Sequence, residues 1–459
     1  MPWRHSGNST LHSANDRKMV MKLMIAYYGD DLTGSTDVME ALSLVGVPTV
    51  LFIDPPTEKQ RAVFADVRAI GLAGTSRSET PEWMRVHLRA AFQWLHSLDA
   101  EITHYKVCST FDSSPEVGNI GTALDIGREI FGHAPVPIVV GAPQLRRYTA
   151  FGHLFAAFQD RTYRIDRHPV MARHPVTPMA DSDLIAHLSK QTAARIVLVD
   201  FPTSHSDAAV DRIAADAEAL LFDVLDTASQ TAVGRQLVRL QHNGSRFVIG
   251  SSGVEYALAH AWNVHNCDLH ALSFEAPGAV EKIAVVSGSV SPTTARQIEH
   301  AVSQGFVRLS LDPRAFLDHG ARDTLIDVTQ AALDALDKGQ SVIVHTALGP
   351  DTDLGAELAA SAMDGRHAIG RGLGQLLAQL VRQAGLRRAI IAGGDTSSHA
   401  LKEMGIYALT LCLPIPQTPG SPLCTAHSDD PDLDGLQIAL KGGQVGNDAY
   451  FSNILHGLA

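Results

Sequence analysis

A chain of 459 residues exceeds what one ordinary hydrophobic core organises, so its length predicts two domains of roughly 150–250 residues each. With 45% hydrophobic and 19% charged residues, the composition is that of a globular protein with sizeable cores. A formal net charge of −12 argues against nucleic acid as a partner, because binding a phosphate backbone needs clustered Lys and Arg.

The opening stretch, "MPWRHSGNSTLHSANDRK", is polar and lacks the apolar segment of a signal peptide. We therefore predict a disordered leader over residues 1–20. No later apolar run is long enough to span a bilayer, so a membrane partner is not expected. The four cysteines are widely spread, without a Cys-x-x-Cys pair, which favours a reduced, cytoplasmic protein over a disulfide framework or a zinc site.

Short apolar runs alternate with helical stretches along the whole chain. In residues 21–270 the strand candidates are "KLMIAYY", "VPTVLFI", "RAIGLAG", "HYKVCS", "VPIVVGA", "ARIVLVDF", "ALLFDV" and "SRFVIGSS". In residues 281–459 they are "KIAVVSGS", "SVIVHTA", "RRAIIAGG", "YALTLCL" and "LQIALKGG". Such runs predict an α/β fold of two domains, each with a mostly parallel sheet flanked by helices. The domain boundary is expected within "DLHALSFEAPGAVEK", where the periodicity lapses.

Two further segments allow a prediction of local structure. "GRGLGQLLAQLVRQAGL" repeats Leu373, Leu376, Leu377 and Leu380 at helical spacing, which predicts a buried stripe, and Gly385 stands where a helix would be capped. "QTPGSPLCTAHSDDPDLDG" is rich in Pro, Gly and Asp, and we predict a surface loop there.

The first strand candidate is followed by Asp30, Asp31, Thr33 and Gly34. In doubly wound sheets, ligands gather at the carboxyl ends of strands. Carboxylates there could bind substrate hydroxyls, remove a proton from one, or hold Mg²⁺. Capping the following helix would need only one acid, so the pair favours a functional site with Asp30 and Asp31 as catalytic candidates.

Polar side chains follow three other strand candidates of the first half. A lysine, hydroxyls and an acid in one loop suit a polyhydroxylated acid, with the lysine on its carboxylate, and arginines at strand ends can grip a carboxylate through two bonds. The alternatives are an ordinary serine-rich turn and solvated surface arginines. Together with Thr33, the substrate-binding candidates are Arg77, Lys106, Ser109, Thr110, Asp112 and Arg147.

Three loops of the second half place glycine with serine or threonine between a strand and a helix: "VVSGSVSPTTARQ", "IIAGGDTSSHAL" and "LKGGQVGNDAYF". Such loops expose backbone N–H groups that cradle phosphates. There is neither a Walker motif nor a dinucleotide fingerprint. Asp395 could also reach a metal ion. The ATP-binding candidates are Ser287, Ser289, Ser291, Gly393, Gly394, Asp395, Thr396, Gly442 and Gly443.

These motifs resemble those of the four-carbon acid sugar kinases. The resemblance runs from about Leu23 onward through "GDDLTGSTD", "YKVCSTFDSSPEVGNIG", "RHPVTPM", "VVSGSVSPTTARQ", "AGGDTSSHALKEMGI" and "ALKGGQVGNDAYF". It implies that residues 21–270 bind a sugar acid, that residues 281–459 bind ATP, and that the active site lies in the cleft between the domains. It also implies phosphorylation of a terminal hydroxyl on a four-carbon acid such as threonate, erythronate or 3-oxotetronate.

Within this family, "CSTFDS" is similar to the 3-oxotetronate kinases. Those enzymes carry Gly-Arg-Thr where this chain reads "LRRYTAFGHLF", which keeps Arg147 but changes both of its neighbours. The doubled "RHPVMARHPV" also differs from them. Both differences fall in the half expected to bind the acid, so a branched or five-carbon 3-oxo acid is an alternative substrate.

We therefore expect in-line phosphoryl transfer from ATP with Mg²⁺, in which Asp30 or Asp31 accepts the proton of the substrate hydroxyl. One rival function is a phosphatase of the haloacid dehalogenase type, but it needs an acid two residues after its nucleophile, where this chain has Leu32 or Thr33. Another rival is a non-catalytic sugar-acid sensor, which would leave the phosphate loops unexplained. A homo-oligomer is compatible with the sequence.

Overall fold

A computed structural model describes residues 22–174, 176–264, 269, 272–316, 322–349, 364–418 and 420–458. The predicted leader, residues 1–20, lies outside these ranges. No helix of the described ranges has the length and apolar character needed to cross a membrane.

The first half of the chain alternates strands with helices, apart from three consecutive strands near its middle. Its elements are β1 (Ile25–Gly29), α1 (Leu32–Leu44), β2 (Thr49–Phe52), α2 (Glu58–Ala62), β3 (Ala69–Ala73), α3 (Pro81–Ser97), β4 (Ile102–Lys106), α4 (Ile120–Phe131), β5 (Val136–Val139), β6 (Arg147–Ala150), β7 (His153–Phe158), β8 (Arg161–Arg164), α5 (Leu184–Leu188), β9 (Ile196–Val199), α6 (Asp207–Ala214), β10 (Ala219–Phe222), α7 (Thr227–His242), β11 (Phe247–Gly250) and α8 (Gly253–Val264).

The second half repeats the alternation and adds an antiparallel pair before its last helix. Its elements are β12 (Ala284–Ser287), α9 (Pro292–Ser303), β13 (Val307–Ser310), α10 (Arg322–Asp337), β14 (Val342–His345), α11 (Asp364–Ala384), β15 (Arg388–Ala392), α12 (Gly394–Glu403), β16 (Ile406–Leu413), β17 (Leu423–Ser428), β18 (Gln437–Lys441) and α13 (Tyr450–His456).

Fifteen of the described strands form one sheet, in the order β13-β14-β12-β15-β18-β17-β16-β2-β3-β1-β4-β11-β5-β10-β9. Pairing is parallel from β13 to β18 and from β2 to β9, which confirms the predicted α/β class with a mostly parallel sheet in each half. The strands β6, β7 and β8 form a separate antiparallel sheet.

The two halves share this sheet through the pairing of β16 with β2, in which Ala408 lies opposite Phe52 and Leu409 opposite Leu51. This pairing and the two pairings of β17 are antiparallel. The parallel strands of one half therefore run opposite to those of the other. A usual twist of 20–25° for each strand-to-strand step accumulates to about 100–125° between β18 and β1, which lets their carboxyl ends approach each other.

The prediction of a surface loop over "QTPGSPLCTAHSDDPDLDG" is wrong for its central part. Leu423–Ser428 forms β17, which lies between β16 and β18. Cys424 and Ala426 are buried, and they alternate with the partly exposed Thr425 and His427. The Pro and Asp residues on either side concealed this short period-two pattern. The strands β6, β7, β8 and β13 were also not predicted, because they are short and mostly only half-buried.

The predicted leucine-rich helix is confirmed as α11. Leu373, Leu377 and Leu380 are fully buried, and Leu376 is nearly so. Gly385 follows the helix with a φ of +61°, in the left-handed region where glycine is favoured. The helix therefore ends where the sequence predicted.

Helix α1 holds the two halves together beyond the strand pairing. The Thr36 hydroxyl donates to the Gly420 carbonyl at 2.7 Å. The Glu40 carboxylate, one turn further along the same face, accepts the N–H groups of Ile415 at 2.8 Å and Gly420 at 3.1 Å. We call these three hydrogen bonds the α1 joint. All their groups are buried, so each bond lacks competition from water.

The α1 joint contains an ionisable group whose pKa is displaced. Burial raises the pKa of Glu40 from 4.5 to about 7, although its two N–H donors lower it and Asp37 adds repulsion. Other titratable groups around the carboxylate are Tyr256, Cys424 and Tyr450, whose own pKa values are raised chiefly by burial. Because the folded chain holds this proton more tightly than the unfolded chain, the contribution to stability is present below pH 4.5 and is lost as the pH rises towards 7.

We predict that Glu40→Gln removes this pH dependence. Between pH 5 and pH 8 the wild type should lose about 2–3 kcal/mol of unfolding free energy that the variant does not lose. Thermal unfolding of both proteins at the two pH values measures the difference. Glu58→Gln, at an exposed position in α2, is the matched control and should show no pH-dependent difference from the wild type. An equal wild-type-to-Glu40→Gln difference at both pH values would contradict the prediction.

Candidate active site

A cleft of about 430 Å³ opens at the carboxyl ends of β1 and β4. Its size is in the usual range for a small-molecule site. Most of its lining comes from the first half of the chain, and one residue comes from the second half. The lining residues are Asp31, Thr33, Gly34, Asp37, Arg77, Lys106, Cys108, Ser109, Gln144, Leu145, Arg146, Arg147 and Val445.

The two adjacent acids have different surroundings. Asp31 is the N-cap of α1, and its Oδ1 accepts the Gly34 N–H at 2.7 Å. Its side chain is 28% exposed and faces the cleft. Asp30 is buried and accepts two bonds from Arg77, from Nε at 3.1 Å and from Nη2 at 2.6 Å. Capping thus explains one acid and anchoring of an arginine explains the other, while only Asp31 lines the cleft.

Arg77 bridges both acids, because its Nη1 also donates to Asp31 Oδ2 at 2.6 Å. Burial raises the pKa of Asp30 to about 6, and the charge of Arg77 opposes that rise while the nearby Asp31 adds to it. The guanidinium was predicted to grip a substrate carboxylate. In the structure, three of its N–H donors are used by the two acids, so its first effect is to fix their orientation.

Lys106 ends β4, and its ammonium lies beside the start of α1. A Cβ added at Gly34 would lie 3.0 Å from Nζ, so the glycine leaves room for the ammonium in this position. The nearest carboxylate is that of Asp37, at 3.7 Å, and Asp37 also accepts a hydrogen bond from the Ser252 hydroxyl. Burial raises the pKa of Asp37, and the Lys106 charge opposes that rise. At 3.7 Å this ion pair leaves the ammonium donors available to a ligand.

The remaining predicted substrate residues separate into two groups. Ser109 and Arg147 line the cleft, as does Thr33. Thr110 and Asp112 are buried behind it, with the Thr110 hydroxyl donating to Asp112 Oδ1 at 2.5 Å. Burial raises the pKa of Asp112, but the Arg77 charge and the Thr110 bond outweigh it, so the net pKa is lowered. These two residues therefore support the loop from behind.

Arg147 begins β6 and is held by the backbone of its own hairpin. Its Nη1 donates to the carbonyls of Leu145 at 3.0 Å and Ala157 at 3.5 Å. Its Nε is buried without a hydrogen-bond partner in the described part of the chain. Arg146, with a left-handed φ of +55°, lines the cleft next to it. The hairpin thus presents two neighbouring arginines to one end of the cleft.

The three glycine-bearing loops of the second half converge. They follow β12, β15 and β18, which are adjacent strands of the parallel sheet, so their carboxyl ends meet at one edge. Gly288 N–H donates to the Ala392 carbonyl at 3.1 Å, and Gly393 N–H to the Lys441 carbonyl at 2.9 Å. The predicted ATP-binding residues brought together by these loops are Ser287, Ser289, Ser291, Gly393, Gly394, Thr396, Gly442 and Gly443.

The loops leave backbone donors for an anion. Gly393 precedes α12 with a φ of +124°, and no side chain caps this helix. The first N–H groups of α12 are therefore without capping acceptors in the described residues, which is the arrangement that binds phosphates. Ser291, in contrast, caps α9 through the Thr293 N–H at 3.2 Å. A Cβ at Gly288 would come within 2.4 Å of Thr396 Oγ1, so close packing of these loops depends on glycine.

A magnesium site made by the protein alone is not found among the described side chains, since none of them form a group of three His, Cys, Asp or Glu suited to a metal ion. The side chain of Asp395 lies outside the description. Its predicted contact with a metal ion therefore stays a prediction.

The two halves meet at the cleft. A Cβ at Gly442 would lie 3.6 Å from the Thr33 side chain, and Val445, three residues further on, lines the cleft. The helix that carries the Asp31 cap therefore stands directly against the loop after β18.

Several residues of this region were not selected from the sequence: Glu40, Ser252, Thr294 and Lys441. The signals were present for two of them. Lys441 is a lone charge directly after the apolar run of β18, and Glu40 stands among buried residues of α1 four positions after Thr36. The other two, Ser252 and Thr294, carry hydroxyls whose partners Asp37 and Lys441 lie far away in the chain.

Comparisons with known proteins agree with this geometry. Residues 25–258 match the family described as a sugar-binding N-terminal domain, and residues 284–451 match a nucleotide-binding C-terminal domain. The chain is 44% identical to a 3-oxo-isoapionate kinase of Paraburkholderia graminis, over 95% of this chain and 94% of that protein. It is 28% identical to a 3-oxo-tetronate kinase of Pectobacterium atrosepticum, over 94% and 98% of the two chains.

Solved structures show the same fold. A Salmonella typhimurium protein described as a putative tRNA synthase superimposes with a TM-score of 0.72 at 25% identity, covering 94% of this chain and 98% of that one. A Haemophilus influenzae protein superimposes with a TM-score of 0.68 at 24% identity, covering 93% and 98%. With both domain families matched in order and relatives aligned along nearly their full length, the chain belongs to the four-carbon acid sugar kinase family.

Proposed function

We propose that this sugar-acid kinase transfers the γ-phosphoryl group of ATP to a hydroxyl of a branched, five-carbon 3-oxo acid of the 3-oxo-isoapionate type. The observation that carries the proposal is that the cleft proposed for the acid adjoins the glycine-bearing loop after β18. Val445 lines the cleft that holds Asp31 and Lys106, and it lies two residues after Gly443 in the loop that follows β18. An acid in the cleft and a nucleotide on the loops would be neighbours, as in-line transfer requires.

The cleft has the groups that a hydroxylated acid needs. Lys106 and Arg147 supply positive charge for a carboxylate, and Ser109 and Thr33 supply hydroxyls that donate or accept hydrogen bonds. The Lys106 ammonium is buried and donates no hydrogen bond within the described residues, so a ligand carboxylate could accept one from it. We propose these four side chains as the substrate-binding set.

Asp31 is our proposed general base. Its carboxylate faces the cleft, whereas Asp30 is buried and uses both oxygens on Arg77. The substrate oxygen attacks the γ-phosphorus, the bond from that phosphorus to the bridging oxygen of ADP breaks, and the hydroxyl proton passes to Asp31. Asp30 acts through Arg77, which holds the second oxygen of Asp31 in place.

ATP is the proposed donor, and the uncapped start of α12 and the glycine loops after β12 and β18 would hold its phosphates. Mg²⁺ would arrive bound to those phosphates, which is its usual mode, and Asp395 is the acid of this region proposed to assist. An enzyme that consumes ATP in this way fits the cytoplasm, where we place it.

The branched substrate is favoured over a four-carbon acid by two observations. Identity to the 3-oxo-isoapionate kinase is 44%, against 28% for the 3-oxo-tetronate kinase, over similar lengths. The segment that differs from the oxotetronate kinases, "LRRYTAFGHLF", contributes Leu145, Arg146 and Arg147 to the cleft wall. The difference in sequence therefore lies in the cleft wall that would recognise the shape of the acid.

We predict that a coupled ADP-release assay with Mg-ATP will show the highest kcat/KM with a branched five-carbon 3-oxo acid. D- and L-threonate, D- and L-erythronate and both 3-oxotetronates complete the panel. A hydrophobic or hydroxyl pocket discriminates such neighbours by about 10- to 200-fold, so the preference should be of that size. Higher kcat/KM with a 3-oxotetronate would move the assignment to the four-carbon acids, and no ADP from any acid would reject the kinase.

We predict that Asp31→Asn lowers kcat by about 10²–10⁴-fold while the Kd for ATP stays within about threefold of the wild type, because the amide cannot accept the proton but keeps an oxygen for the Gly34 N–H. Single-turnover rates and calorimetric ATP titration measure the two effects. Asp66→Asn, at an exposed position, is the matched control for loss of one negative charge. If Asp31→Asn retained more than about a tenth of the turnover, the base would have to be another group.

A further inference from the structure

Lys441 is a buried charge without a counter-ion in the part of the chain that the structure describes. It ends β18, and its side chain has no exposed surface. The salt bridges found among the described residues include none to this ammonium. Burial alone lowers the pKa of Lys441, to about 7, with no contribution from a neighbouring charge. Burying an ammonium costs several kcal/mol unless another charge compensates it.

The hydrogen bonds of this ammonium go to the loop after β18 and to the first turn of α9. Nζ donates to the Gly442 carbonyl at 2.8 Å, to the Gly443 carbonyl at 3.2 Å, and to the Thr294 hydroxyl at 2.9 Å. Thr294 in turn donates to the Gly443 carbonyl at 3.2 Å and contacts the Ser289 hydroxyl at 3.0 Å. Through Thr294, the Lys441 side chain therefore connects the loop after β18 to Ser289 in the loop after β12.

These contacts orient two backbone donors. In a trans peptide, the N–H of the next residue points opposite to the carbonyl. With the carbonyls of Gly442 and Gly443 directed at Lys441, the N–H groups of Gly443 and Gln444 point away from it. Neither N–H has an acceptor among the described residues. Two successive free N–H groups of this kind form a concave site for an anion.

We propose that Lys441 is a positioning residue of the nucleotide site: its buried ammonium fixes the Gly442 and Gly443 peptides so that the following N–H groups face the phosphates of the nucleotide, and those phosphates are its missing counter-ion. The inference rests on the proposed function, since it takes ATP as the ligand. It explains why a lysine stands at a fully buried strand end, where an apolar side chain would otherwise be less costly.

The effect of removing the charge should grow with the number of phosphates. We predict that Lys441→Met raises the Kd for ATP by about tenfold or more, raises that for ADP less, and changes that for AMP least, because Coulomb attraction scales with ligand charge. The Kd for the sugar acid should stay within about twofold. Calorimetric titration of the full chain gives all four values. Lys338→Met, an exposed lysine of the same half, is the matched control and should leave all of them unchanged.

A second measurement uses the wild type alone and does not depend on a folded variant. Because the phosphates should favour the charged lysine, ATP binding at pH 8 should draw a proton onto the protein. The observed binding enthalpy should then change with the ionisation enthalpy of the buffer. If Lys441→Met folds, it should abolish this dependence. No proton uptake by the wild type would overturn the inference.

The remaining outcomes separate the inference from the proposed function. Equal losses of affinity for ATP, ADP and AMP in Lys441→Met would show a merely structural lysine and overturn the inference, as would an unchanged ATP affinity. In both cases the kinase assignment would stand. A wild type that binds no ATP at all would instead overturn the proposed function, and the inference with it.

Discussion

Helix α1 is attached to both halves of the molecule, and the geometry of the site depends on that double attachment. At its start, Asp31 caps the helix and shares Arg77 with Asp30. Further along the helix, Thr36 and Glu40, which are one turn apart, bind the backbone of Ile415 and Gly420. One helix therefore links the cleft of the first half to the backbone around Gly420 in the second half.

Charge is arranged differently in the two halves. In the sugar-acid half, the buried acids Asp30, Asp37 and Asp112 each have a cationic or hydroxyl partner. In the nucleotide half, the buried cation Lys441 has only neutral partners among the described residues. A chain with a net charge of −12 therefore keeps a cationic side chain beneath the loops after β12 and β18.

Much of this was predictable from local sequence. Apolar runs indicated most strands, and because parallel strands end at a common edge, the residues after them indicated where polar groups collect. What sequence could not indicate are pairings between distant segments. The Thr36–Gly420 bond joins positions 384 residues apart. Arg77 looked like a ligand for the substrate because its carboxylate partners are far away in the chain, and β17 was hidden by the turn residues on both sides of it.

The pairing of β2 with β16 bears on how this architecture could have arisen and how it can be altered. If the chain were divided between the two matched families, β2 and β16 would each lose a hydrogen-bonded neighbour. Each half would then have an unpaired edge strand, which promotes aggregation. Neither half is a portable module that could be exchanged with an unrelated partner. A change of substrate is easier to obtain by altering the hairpin that bears Arg147. This hairpin lies outside the shared sheet, so its residues can change without affecting the pairing of β2 with β16.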